Sequence, residues 1–170
     1  MFHGSSFDME KLITEIQDHF GLSKSPHFPP YEKEWENSET ILETKYFEGK
    51  TWTELSVSDF ETYTCCHSFF PDNCAIYYLG ANMFVECVEG KFNSSAMDRL
   101  FMDLQLNVLP KNNRRRRMFR PKIEALWTRM DEGQRFTVLA YLDCISDNAV
   151  LHVEVTEEFV QTAKRALRNL

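Results

Sequence analysis

Residues 69–89, FFPDNCAIYYLGANMFVECVE, constrain the fold more than any other stretch, because they are apolar on nearly every face and opened by a proline. Pro71 suits the first helical turn, where its missing N–H costs nothing, and Asp72 complements the helix dipole. Downstream, Asn82, Glu86 and Glu89 fall four and then three residues apart, on one narrow stripe. A strand is excluded by length and by the lack of alternation. A membrane span is excluded by the acidic residues inside and on both flanks. The stretch therefore predicts a helix over 71–89 buried on most sides, and other helices must pack around it. Its Asn82 and Glu86 have to reach solvent along the stripe or meet a donor, for which Arg99, Arg120 and Arg135 are candidates.

A chain of 170 residues with 43% apolar and 14% aromatic content can build one well-filled core and is too apolar for a disordered chain. The expectation is an all-α, single-domain helical bundle. The odd number of cysteines, Cys65, Cys66, Cys74, Cys87 and Cys144, with no C-x-x-C pair, reads as reduced buried thiols. No basic and apolar N-terminal stretch with a small-residue cleavage site is present, and no apolar run of membrane-spanning length lacks charge, so the expected location is the cytoplasm.

Charge is unevenly spread. Residues 1–63 hold 13 acids and 5 bases, a net of −8, while residues 91–130 hold 3 acids and 10 bases, a net of +7. A formal net charge of −7 argues against nonspecific nucleic-acid binding by the whole chain.

In chain order, Met9, Leu12, Ile13, Ile16 and Phe20 recur at helical spacing after Ser5 and Ser6, with Gly21 as a stop. Residues 22–31 carry three prolines and predict an extended internal connection. Residues 32–50 read as a helix through Trp35, Ile41, Leu42 and Tyr46, although Leu42, Thr44 and Tyr46 also alternate like a strand. Thr51-x-x-Glu54 and Ser58-x-x-Glu61 match capping boxes ahead of two short helical segments, and Gly90 ends the central helix. Ser95-x-x-Asp98 opens a helix with Met97, Leu100, Phe101, Leu104 and Val108 inward, stopped by Pro110. A basic loop follows at 110–117. Pro121 opens a segment with Ile123, Leu126, Trp127 and Met130 inward, and Asp131-x-x-Gln134 caps a helix with Val138, Leu139, Leu142 and Ile145. Residues 149–155 alternate like a strand and would need a partner near 40–47. Thr156 then caps a final helix with Phe159, Val160, Ala163 and Leu167 facing inward.

An N-terminal helix ending in Phe20, Phe47-Glu-Gly-Lys-Thr-Trp52, Phe70-Pro-Asp, Tyr77-Tyr78-Leu79 with Ala81-Asn-Met83, and Gln134-Arg135 before an apolar helix together resemble a family of small uncharacterised bacterial proteins. The resemblance spans roughly residues 8–146, with Gly80 standing where the family pattern has proline. It implies a mostly helical fold and carries over no activity and no catalytic residue.

Three groups of side chains have chemistry to offer. Cys65, Cys66, His67 and Cys74 lack the paired spacing of a zinc site, and adjacency in sequence seldom aligns a thiol with its base. Arg114, Arg115, Arg116, Arg117 and Arg120, with Phe119 among them, offer phosphate contacts and a stacking ring; the alternative is a soluble loop whose arginines meet the acidic N-terminal third. Glu32, Glu34, Glu36, Glu39 and Glu43 form an acidic run that reads as a solvated face. Phosphate-cradling and nucleophile-elbow glycine motifs are absent from the sequence, and no cofactor is expected. The reading that follows is a non-enzymatic module for a protein partner or a homodimer, of an inhibitor or immunity type, using the acidic 32–61 face. A nucleic-acid or phosphate binder built on the basic segment, and a small Cys/His hydrolase or metal protein, are its rivals.

Overall fold

The computed structural model describes residues 8–21, 25–31, 38–92, 126–148 and 157–168. Within them run α1 (Met9–Phe20), α2 (Glu39–Lys45), a 3₁₀ turn (Trp52–Glu54), α3 (Val57–Thr62), α4 (Cys66–Phe69), α5 (Asp72–Glu89), α6 (Glu132–Asn148) and α7 (Glu157–Arg168). The all-α expectation holds, and no strand occurs among the described residues. Residues 39–45 are helical, so the strand reading of 40–47 is corrected: Ile41 and Thr44, three apart, are the buried pair, a helical period. The other half of that β element, 149–155, lies outside the described residues, as do the helix expected at 95–108, the basic loop and residues 121–125.

The central helix is α5, with Tyr78, Leu79, Ala81 and Met83 fully enclosed. It runs from Pro71, whose carbonyl accepts from the Cys74 and Ala75 amides, to Gly90, which takes the left-handed conformation that closes a helix. α1 packs on both α5 and α6, α3 and α4 pack on α5, α2 packs on α4, and α7 packs on α6. Gly80 makes the α1 crossing close, since a Cβ there would stand 2.5 Å from Phe20 Cβ and 2.8 Å from Trp52 Cζ2. Only a residue without a side chain lets the two backbones approach this far.

An aromatic cluster fills the space between α5 and the segments before it. Phe70 stacks on Tyr78 at 4.5 Å, while Phe28 and Phe47 meet the Tyr78 ring edge-on. The Tyr78 hydroxyl donates to the Phe47 carbonyl and lies 3.0 Å from Ser25 Oγ. One buried ring thereby ties the central helix to the turn after α2 and to the proline-rich connection.

Cap chemistry sets the helix starts. Asp8 accepts from the Lys11 amide at 3.1 Å to begin α1, and Asp131 and Gln134 exchange side-chain and backbone hydrogen bonds to begin α6. Thr51 and Glu54 form the expected box. The second box is Ser56 with Asp59, not Ser58 with Glu61. Both serines have an acid three residues on, and burial of Val57 and Phe60 selects the earlier start. Glu89 at the end of α5 also accepts from the Val57 amide at 2.9 Å, so the central helix helps cap α3.

Candidate functional site

The chemistry-bearing residues of α4 and α5 turn inward. Asn82 and Glu86 are 0% and 1% exposed, so of the two expected outcomes they meet partners, and the stripe reaches solvent only at Glu89. Asn82 Nδ2 lies 3.1 Å from His67 Nε2, and the His67 imidazole stacks on Phe60 and meets Phe70 edge-on. Burial lowers the His67 pKa to about 3, which keeps the ring neutral. With Nε2 accepting from the amide, Nδ1 carries the proton. Glu86 accepts from the Tyr141 hydroxyl of α6. Of the arginines considered for Glu86, Arg99 and Arg120 lie outside the described residues, and Arg135 donates to the Thr128 carbonyl at 3.4 Å.

Four of the five cysteines are core residues, and Cys65 is half-buried. Cys66, Cys74, Cys87 and Cys144 are buried, and none of the five cysteines forms a disulfide. Burial raises the Cys66 and Cys87 thiols far above the range of a working nucleophile, and burial with Glu48 nearby raises Cys74 to about 11. Among the described residues no group of three or more His, Cys, Asp or Glu side chains is placed to hold a metal ion. Arg114, Arg115, Arg116, Arg117, Phe119 and Arg120 lie outside the described residues, as do Glu32, Glu34 and Glu36.

What the surface does offer is a shallow groove of about 670 Å³ lined by Glu39, Leu42, Glu43, Lys45, Tyr46 and Tyr63. α2 presents two stripes: Ile41 and Thr44 go into the core, and Glu39, Leu42 and Glu43 share the outer face with Tyr46, the residue that caps the helix. Leu42 is 53% exposed. A solitary exposed leucine is ordinary, and Val88 and Phe136 are exposed too. Leu42 differs in bordering a groove walled by two tyrosines.

Those walls are braced. The Tyr46 and Tyr63 rings lie 4.4 Å apart, Lys50 Nζ sits 3.1 Å from the Tyr46 centroid, and the Tyr46 hydroxyl donates to Asp59. Desolvation pulls the Asp59 pKa upward, but hydrogen bonds from Tyr46 and Ser56 outweigh it and the carboxyl ends below its usual value. Lys45 Nζ stands 5.8 Å from the Tyr31 ring centroid. Neither Glu39 nor Glu43 has an ion-pair partner among the described residues. The sequence signal for this face was the 3-and-4 spacing of residues 39, 42, 43 and 46; Tyr63 joins it through the fold alone.

No helix among the described residues is long and apolar enough to cross a membrane. Comparison with protein-family models, curated proteins and solved structures finds no match.

Proposed function

We propose that the chain is a non-enzymatic protein-interaction module, of an inhibitor or immunity type, whose contact is carried by the outer face of α2. The observation behind this reading is Leu42, left exposed beside Glu39 and Glu43 over a groove with rigid aromatic walls. Fixed tyrosines supply contact area at low entropic cost, and a central apolar residue with a polar rim is the usual anatomy of a protein contact. The reading is also supported by the fate of the α4 and α5 groups, since the Cys66 thiol is buried and held protonated, and the half-buried His67 imidazole is neutral and already engaged by Asn82. The bacterial family and the cytoplasmic setting suggested by the sequence belong to the same proposal.

Affinity capture from native lysate at low salt tests it, run in parallel with wild type, Leu42→Asp and the Glu39→Lys/Glu43→Lys pair. A reproducible partner that both variants lose supports the reading. The same proteins retained by all three baits contradict it.

A further inference from the structure

The groove also carries information about its occupant. Residues 38–63 hold 6 acids and 2 bases, a net of −4. Both bases are turned to rings, Lys50 to Tyr46 and Lys45 toward Tyr31. The groove's own lining holds two carboxylates and one ammonium, Lys45, and neither carboxylate is in an ion pair with a described residue, so the lining is net acidic. Glu39 and Glu43 stand one helical turn apart, about 6 Å between their Cβ atoms. Leu42 lies between them on the same stripe, and little of the Tyr46 face is left with Lys50 on it and Tyr63 beside it.

From this juxtaposition we infer that the groove takes a cationic peptide segment of a partner protein, with two Arg or Lys side chains about one helical turn apart flanking one aliphatic or aromatic residue. The inference rests on the proposed interaction face and adds the partner's chemistry. The partner's cations meet Glu39 and Glu43, and its apolar residue sits on Leu42 against Tyr63. Arginine suits the site better than lysine, because its planar fork pairs with a carboxylate while its face lies on an aromatic ring. A polyanion such as nucleic acid is repelled by the same carboxylates.

Selection of displayed random dodecapeptides on the folded full chain, counter-selected on Leu42→Asp, tests the inference without a known partner. The expected survivors carry Arg or Lys pairs spaced by about four residues around Leu, Ile, Met or Phe. Their affinity falls about tenfold in Glu39→Lys/Glu43→Lys at low ionic strength, and the gap narrows as salt is added. Glu39→Gln/Glu43→Gln, whose fold is checked by circular dichroism, gives a smaller fall in the same direction. Neutral or acidic survivors that depend on Leu42 overturn the cationic occupant and leave the interaction face standing. Survivors indifferent to Leu42, or none at all, overturn both. Leu42-dependent self-association of the wild type in sedimentation, with no peptide added, assigns the groove to a second copy and overturns the cationic segment.

Discussion

The two helices α5 and α2 treat their polar residues in opposite ways. On α5, Asn82 and Glu86 are enclosed, and each meets a side chain from another helix, His67 of α4 and Tyr141 of α6. On α2, Glu39 and Glu43 flank an exposed leucine and pair with nothing described. Buried polar groups with fixed partners hold helices in register, and removing one partner costs free energy. Unpaired carboxylates beside exposed apolar surface cost little as they stand, and they leave interaction energy for a second molecule. The difference separates architecture from the candidate site more sharply than residue type does, since the reactive residue types lie on the architectural side.

The largest expected effect lies on that side. Phe47→Ala removes a fully buried ring packed against Phe60, Phe70, Tyr63 and Tyr78, and should cost about 3–5 kcal/mol in urea unfolding. A loss below about 1 kcal/mol would mean that the cluster is not core.

Gly80→Ala comes next. Helix propensity favours alanine by about 1 kcal/mol, but the added Cβ meets Phe20 Cβ at 2.5 Å, and an atom attached to the α1 backbone has no rotamer by which to move away. Overpacking should win, for a net loss of about 2 kcal/mol seen as a lower denaturation midpoint. A stabilised variant would show that α1 does not cross α5 at this point.

The third effect is acid sensitivity. His67 is a base whose folded pKa, about 3, lies below the ordinary value of 6.5, so the unfolded chain takes up the proton first. Its contribution to stability is complete above pH 6.5 and is lost as pH falls toward 3. Wild type should lose about 1 kcal/mol more than His67→Gln between pH 6.5 and 5.5, read from paired urea titrations. Equal losses would place His67 in solvent.

Leu42→Asp should be the smallest perturbation, within about 0.5 kcal/mol of wild-type stability, because the side chain already faces solvent.

Much of the architecture was legible because it rests on local rules. Pro71 and Gly90 bracket α5, Gly21 stops α1, and the boxes at Thr51 and Asp131 start their segments as the sequence predicts. Local rules also misled where two phases competed. Ser58-x-x-Glu61 is as good a box on paper as Ser56-x-x-Asp59, and only the burial of Val57 and Phe60 decides between them. Lys164 lies toward the C-terminal end of α7, where a base ordinarily stays in solvent and complements the helix dipole, yet it is 7% exposed and donates to Asp143 of α6. The groove was half legible. Spacing puts Glu39 and Glu43 on one face, but it groups Leu42 with Ile41 in the apolar set, and only the fold separates the two; Tyr63 arrives from a separate segment across the Tyr46 and Phe47 rings, a contact that no spacing within one helix encodes.

The central claim is that α2 carries the contact while the buried polar pairs of α5 carry the fold. The most direct test measures Leu42→Asp twice, once for its urea midpoint and once for its affinity toward a partner or peptide bound by the wild type. The account predicts an unchanged midpoint with binding weakened about tenfold or more, the order expected when a central apolar contact is lost. Unchanged binding at an unchanged midpoint would contradict it.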